Sequence, residues 1–186
     1  MRLGTLRRTK IGVILAVVLA STMLGLVACG PRAEKLGGWY GGDALTARVT
    51  ALQRKADILV LARDSQPDAL KFLRVTPAEG NELVVAYVEV INQKTPRIVL
   101  TLDTKAAELD TRRATAEEYY LVDVFARGEP TEEFAEGETY YAPILWDKVD
   151  LLKEHQLVGW MVFEVPKGER FRQMVWRASD TIFIEF

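Results

Sequence analysis

The segment Leu83–Ile91 restricts the possible folds of this chain more than any other feature of the sequence. One face of the extended segment carries Val84, Ala86, Val88 and Val90, with Glu89 on the other face. Successive side chains of a β-strand point to opposite faces of a sheet, so this alternation is typical of a strand. The chain is therefore predicted to build its core from β-sheet.

Other segments have the same strand character and are separated by turn signals such as Pro166-Lys167-Gly168. They are Leu45–Leu52, Ile58–Ala62, Leu70–Val75, Arg97–Leu102, Tyr119–Phe125, Leu157–Val165 and Thr181–Phe186. Only Lys105–Glu118 favours a helix by composition, and it fits an exposed loop equally well. The sequence predicts an all-β, two-sheet β-sandwich of about seven to nine strands over residues 44–186. The single cysteine excludes an internal disulfide, so the core must supply the stability.

The first 28 residues are organised like a bacterial secretion signal. Residues 1–29 hold four cations and no acid, and residues 11–28 contain no charge. The apolar run ends in Leu26-Val27-Ala28-Cys29, which resembles the lipobox at which a signal peptidase cuts before a lipidated cysteine. We therefore expect residues 1–28 to be removed and Cys29 to anchor an extracytoplasmic protein to a bacterial membrane. The alternative is an uncleaved anchor helix with an incidental cysteine.

Residues 29–43 are predicted to form a flexible tether that begins at the lipidated Cys29, because residues 30–43 include five glycines and one proline. Trp39 and Tyr40 are unusual in such a segment. They are interpreted either as a hydrophobic latch onto the domain or as contacts with lipid headgroups. Subtracting the four cations of residues 1–29 leaves 20 Lys and Arg against 26 Asp and Glu, or −6 for residues 30–186. This charge and secretion argue against nucleic acid as a partner.

Two strands carry a resemblance to a known family. Leu157–Pro166 resembles the G-x-hydrophobic-x-F-x-V-P strand of certain bacterial surface lipoprotein domains, and Val88–Asn92 resembles their V-x-V-x-N strand. The resemblance covers roughly residues 70–186. It implies an immunoglobulin-like fold, similar to telokin and to a secreted immunoprotective mycobacterial antigen. It implies no catalytic residue, because that family has no accepted catalytic motif.

The sequence singles out no catalytic group, metal site or cofactor. His155, the single histidine, lies in a polar turn and is expected at the surface. The acidic run 129–138 contains Glu129, Glu132, Glu133, Glu136 and Glu138. A solvated hairpin tip is favoured for this run and calcium binding is the alternative, since it lacks the spacing and central glycine of a calcium loop. Carboxylates that can in principle form a hydrolytic pair are Asp123, Asp147, Asp150 and Asp180, but their spacing pairs no two of them.

Consecutive tyrosines are the positive functional signal. In an extended chain Tyr119 and Tyr120 must point to opposite faces, and the same holds for Tyr140 and Tyr141. At least one ring of each pair is therefore expected outside the core, where aromatic residues are frequent binding anchors. We predict a membrane-anchored binding or envelope-assembly module, with a protein or an envelope glycan as partner. The alternative is a carboxylate-based hydrolase acting on cell-envelope material.

Overall fold

The computed structural model describes residues 36–111, 117–132 and 137–186, and over these residues it is almost entirely β-sheet. The strands are β1 (Tyr40–Gly41), β2 (Leu45–Lys55), β3 (Ile58–Leu61), β4 (Phe72–Val75), β5 (Asn81–Asn92), β6 (Arg97–Leu102), β7 (Ala107–Thr111), β8 (Glu118–Tyr120), β9 (Glu129–Thr131), β10 (Tyr140–Tyr141), β11 (Asp147–Leu152), β12 (Gln156–Pro166), β13 (Phe171–Trp176) and β14 (Ile182–Glu185). One short helix, α1 (Val124–Arg127), lies between β8 and β9. No helix among the described residues is long and apolar enough to cross a membrane. The predicted signal segment and Cys29 lie outside the described residues.

The all-β sandwich prediction is confirmed, but the strands form four sheets where two were expected. The strand orders are β1-β2-β5-β12, β10-β3-β4-β9, β11-β6 and β14-β13-β7-β8. β5 and β12 pair antiparallel without a break, from Gln156 opposite Ile91 to Pro166 opposite Asn81. The described residues contain more strands than the roughly seven to nine expected, because strands of two to four residues are too short to show an alternating pattern.

The sheet β1-β2-β5-β12 is central because it buries side chains on both faces. Val84 and Val88 point into the larger core with Phe163, and strands β6, β7, β11, β13 and β14 close that core. Leu83 and Val85 point the other way, into a smaller core that β3, β4 and β10 close. A strand buried on both faces is apolar throughout, which explains the nearly continuous apolar sequence of β5 and β12.

The helix or loop predicted for Lys105–Glu118 is wrong over Ala107–Thr111, which forms strand β7. β7 pairs with β13, and all five of its residues are buried. Alanine, glutamate and leucine favour helices locally, but this preference is weak. Burial between two neighbouring strands therefore overrides it. Residues 112–116 lie outside the described residues.

The strand predicted for Tyr119–Phe125 is correct only at its start. β8 ends at Tyr120, and the chain turns into α1 at Val124. The Asp123 carboxylate accepts hydrogen bonds at 3.0 Å from the backbone N–H groups of Phe125 and Ala126. Because this carboxylate satisfies N–H groups of the first helical turn, Val124 and Phe125 leave the sheet although both residue types favour strands.

The segment ahead of residue 44 contacts the domain from Gly37 onward. The Gly37 N–H donates to the Val49 carbonyl at 2.7 Å, and β1 places Tyr40 opposite Ala47 of β2. The Tyr40 hydroxyl donates to the Glu185 carbonyl at 3.2 Å. Residues 37–43 are therefore part of the fold and not a free linker, which agrees with the latch interpretation of Tyr40.

Candidate functional site

The tyrosine pair at β10 is divided between the core and the surface. Tyr141 is 7% exposed, and its ring packs edge-on against Trp160 with centroids 4.9 Å apart. The Tyr141 hydroxyl donates to Gln53 Oε1 at 2.8 Å. Tyr141 is therefore a packing residue, and its assignment to a binding surface is corrected. Tyr140 is 48% exposed and contacts Phe72 edge-on at 5.2 Å.

Phe72, which Tyr140 contacts, lines a groove of about 680 Å³ at the end of the paired strands β4 and β9, where Lys71 precedes β4 and Glu132 follows β9. The lining residues are Leu70, Lys71, Phe72, Pro130, Thr131 and Glu132. The two walls are held together because Phe72 pairs with Thr131 and Leu73 with Pro130. Proline has no N–H to donate to a ladder, so β9 suits the edge position that it holds in its sheet. The volume lies in the range of small-molecule pockets, about 300–1,000 Å³.

The charges around the groove are partly neutralised. Lys71 forms an ion pair with Asp64 and lowers the pKa of that carboxyl by hydrogen bonding. Arg74, the next outward residue of β4, donates to Glu138 Oε1 at 2.8 Å and to Asp57 Oδ2 at 2.7 Å. These hydrogen bonds raise the pKa of Arg74. Glu132 is exposed at the groove and is its acidic member.

The acidic run 129–138 is thus divided among several roles. Glu129 lies in β9 opposite Arg74, Glu132 lines the groove, and Glu138 is bound by Arg74. Glu133 and Glu136 lie outside the described residues. The Arg74 guanidinium engages both carboxylate oxygens of Glu138, the second at 3.0 Å, and so neutralises one of the charges that the alternative calcium site would need.

The other tyrosine pair lies in a different sheet. Tyr120 is 45% exposed, and its hydroxyl donates to Glu118 Oε2 at 2.6 Å, which raises the pKa of the phenol. Tyr119 is half-buried and lies edge-on to Phe171, with ring centroids 6.5 Å apart. Tyr120 belongs to β14-β13-β7-β8 and Tyr140 to β10-β3-β4-β9. The two tyrosine pairs therefore lie in different sheets and do not form one common surface.

A cluster of carboxylates that the sequence analysis missed lies beside Tyr120. Oxygens of Glu108, Asp110 and Glu118 lie within 4.8 Å of one another, and the first two residues are buried. Glu108 accepts from Arg177, and Asp110 accepts from Gln173 Nε2 at 2.6 Å. Glu108 also raises the pKa of Arg177, chiefly by this hydrogen bond. The alternation A-E-L-D-T of residues 107–111 was the signal for this cluster, because it places both acids on one face of a strand.

The four aspartates considered for a hydrolytic pair have separate structural roles. Asp123 caps α1, Asp147 pairs with Arg63, and Asp150 pairs with Arg97. Asp180 accepts backbone hydrogen bonds from Asp43, Ala44, Leu45 and Thr181. His155 is exposed, as expected, with Nδ1 3.1 Å from the Lys153 carbonyl oxygen.

Comparison with known proteins adds one solved structure. No family model matches the sequence, and no curated protein matches it. The fold is similar to the crystal structure of an uncharacterised β-sandwich protein from Clostridium difficile 630, with a TM-score of 0.42 and 10% sequence identity. The match covers 81% of this chain and 91% of that one.

Proposed function

We propose that this chain is a membrane-anchored extracytoplasmic lipoprotein whose β-sandwich binds another protein through the groove at the end of the β4–β9 pair. The observation that carries the binding role is this groove, with the exposed ring of Tyr140 beside it. Leu70, on the groove wall, is also half exposed. Tyrosine is among the residues that most often anchor protein interfaces, and exposed apolar side chains beside it enlarge the surface that a partner can cover.

The composition of the groove favours a protein partner over a glycan. Leu70, Phe72 and Pro130 supply an apolar surface, and Lys71 is already engaged by Asp64. The core of a protein interface is enriched in aromatic residues, and Phe72 with the neighbouring Tyr140 supplies them here. A glycan requires several convergent hydrogen-bonding groups, whereas the described residues that line this groove supply few polar side chains beside Thr131 and Glu132. We therefore expect an apolar or aromatic side chain of the partner to enter it.

The lipid anchor in this proposal is supported by the sequence Leu26-Val27-Ala28-Cys29 after a basic and apolar segment. The immunoglobulin-like resemblance is supported by the two strands that carry its motifs, because Gly159 lies directly opposite Val88 in the β5–β12 pair. Asn92, which ends the first motif, donates to the carbonyls of Thr95 and Leu151. It thus organises the turn into β6.

Site-specific photo-crosslinking in intact cells tests the binding role. A photoreactive phenylalanine analogue at position 140 should form a defined adduct with a partner, and Leu70→Asp in the same chain should abolish that adduct. The matched control is the same analogue at position 120, which is equally exposed but lies in another sheet. Equal adducts from both positions, or an adduct indifferent to Leu70→Asp, would argue against the groove. An adduct with a glycan would show that the partner is a glycan and not a protein.

Intact mass of the membrane-extracted protein tests the anchor. We expect a chain that starts at an acylated Cys29, and we expect Cys29→Ser to abolish processing. A mature chain that retains Met1 would instead support the uncleaved helix.

A carboxylate-based hydrolase remains the second candidate, because Glu108, Asp110 and Glu118 gather within 4.8 Å. Paired carboxyl groups are the machinery of glycoside hydrolysis, although they are usually about 5–5.5 Å apart or farther, and these oxygens lie closer than that. However, Arg177 and Gln173 already bind the two buried acids, which leaves Glu118 as the exposed member. Release of soluble fragments from purified envelope, lost in Glu118→Gln, would establish this activity. Absence of turnover by the wild-type protein would remove it.

A further inference from the structure

The segment Leu36–Trp39 carries two exposed apolar side chains at the start of the described domain. Leu36 is 36% exposed and Trp39 is 42% exposed. The Arg48 guanidinium lies over the Trp39 ring, 4.4 Å from its centroid, and its Nη2 pairs with Glu89 at 2.7 Å. We call Leu36, Trp39 and Arg48 the anchor-side patch. Its position is fixed, because Gly37 is hydrogen-bonded to β2 and Tyr40 lies in β1.

The proposed lipid on Cys29 lies a short distance along the chain from this patch. Seven Cα-to-Cα steps lead from position 29 to position 36. An extended chain spans at most about 3.5 Å per residue, so the two Cα atoms can be at most roughly 25 Å apart. A free tether up to residue 44 would instead reach about twice as far. The pairing of β1 with β2 therefore shortens the effective tether.

This reach is shorter than the domain is wide. A domain of 153 residues, the length of the unit Glu34–Phe186, has a radius of gyration of about 15 Å and is roughly 38 Å across. The anchor-side patch therefore cannot lie on the side of the domain that faces away from the membrane.

The side chains of the patch have the chemistry of a bilayer interface. Tryptophan combines a large apolar ring with one polar N–H and concentrates at the headgroup level. The charge of the Arg48 guanidinium on its face is neutralised by Glu89, and the apolar stem of Arg48 enlarges the surface beside the ring. Leu36 adds apolar area that the domain leaves exposed.

From the reach and this chemistry we infer that the anchor-side patch lies against the lipid surface of the membrane that holds Cys29, which orients the domain. The inference rests on the proposed lipidation of Cys29. In this orientation Trp39 contacts the domain and the lipid headgroups at the same time. Arg48 covers one face of the ring, and the remaining exposed area of the ring meets lipid. The β4–β9 groove is left to a partner in the aqueous phase.

Tryptophan fluorescence of the full lipidated protein tests the orientation. The protein is reconstituted into phosphatidylethanolamine–phosphatidylglycerol vesicles whose acyl chains are brominated near the headgroup end. The Trp39 emission is the difference between wild type and Trp39→Phe, in which a ring remains under Arg48. We expect most of this emission to be lost in brominated vesicles. The matched control is Trp146→Phe, because Trp146 packs against the larger core and its emission should not be quenched.

The outcomes separate the two proposals. If the mass confirms lipid on Cys29 and the protein floats with the vesicles, but aqueous iodide and not brominated lipid quenches Trp39, the orientation is wrong and the anchor stands. If Cys29 carries no lipid, the anchor and the orientation both fail.

Discussion

The central strands β5 and β12 and the rim strands β9 and β10 differ in length, regularity and burial. β5 and β12 pair through all 11 residues of β12, and their side chains enter both cores. β9 has three residues and β10 has two, and both lie at the edges of one sheet. Exposed side chains such as Tyr140 are held at this rim.

This difference indicates that stability and binding are carried by separate parts of the molecule. Substitutions in the central pair should unfold the chain with no direct effect on the groove. Substitutions at the rim should change the groove while stability is almost unchanged.

Phe163→Ala should cause the largest loss. Phe163 is fully buried in the larger core, so truncation leaves a cavity that the flanking strands cannot fill. We expect a loss of about 3–5 kcal/mol in the free energy of unfolding, measured by urea denaturation. Phe163→Leu, which keeps most of the volume, is the control and should lose much less. A loss below about 1 kcal/mol for the alanine variant would contradict the packing role.

Gly159→Ala should overpack the same strand. A Cβ at position 159 would lie 2.7 Å from both the Pro143 carbonyl oxygen and Leu145 Cδ2. One of these neighbours is backbone, so we expect a loss of about 1–3 kcal/mol. The control is Gly41→Ala, where a Cβ would meet nothing within 4 Å. Equal melting temperatures for the two variants would show that Pro143 and Leu145 can move to make room for the added methyl group at little cost in stability.

The central pair β5 and β12 was predictable from sequence and the rim strands β9 and β10 were not, because the two groups differ in strand length. β5 and β12 are long enough to display an apolar pattern of their own. β10 is held by parallel pairing of Tyr140 with Leu59, which is remote in sequence, so no local pattern marks it. The exposure of one ring from each tyrosine pair followed from strand geometry. The groove did not, because its walls are two separate segments, Leu70–Phe72 and Pro130–Glu132.

β7 shows a second limit of local sequence. Its alternating residues A-E-L-D-T were visible, but their composition favours a helix, and only the pairing with β13 decides between the two. The burial of Glu108 and Asp110 depends on Arg177 and Gln173, which lie in and beside that distant strand. The alternation could place Glu108 and Asp110 on one face, but it could not predict their burial or the approach of Glu118 from β8.

Asp180→Ala should cost about 1 kcal/mol, similar to the loss of other side-chain caps of backbone N–H groups. Burial alone would raise the pKa of Asp180, but the N–H groups of Leu45, Ala44, Asp43 and Thr181 outweigh it and lower the pKa. A depressed folded-state pKa stabilises the fold above the unfolded pKa, and this stabilisation disappears as pH falls through the folded pKa.

The stability difference between wild type and Asp180→Ala should therefore be constant between neutral pH and about pH 5 and should shrink below about pH 4. Urea midpoints at several pH values measure it. Asp150→Ala is the control, since it removes only an exposed ion pair with Arg97. A difference that grows toward acid would reverse the assigned sign.

Tyr140→Ala should have the smallest effect on stability and the largest on binding. The ring loses its edge contact with Phe72, but nearly half of its surface already faces solvent, so we expect a loss of about 0.5 kcal/mol. Tyr141→Ala, one residue away, removes a buried ring and the hydrogen bond to Gln53, and it should unfold the rim. Tyr120→Ala removes an equally exposed ring from another sheet and should retain the partner. Of these three variants, only Tyr140→Ala is therefore expected to keep its melting temperature and lose partner capture. If the Tyr140→Ala protein captures the partner at wild-type yield, this ring is not part of the binding site.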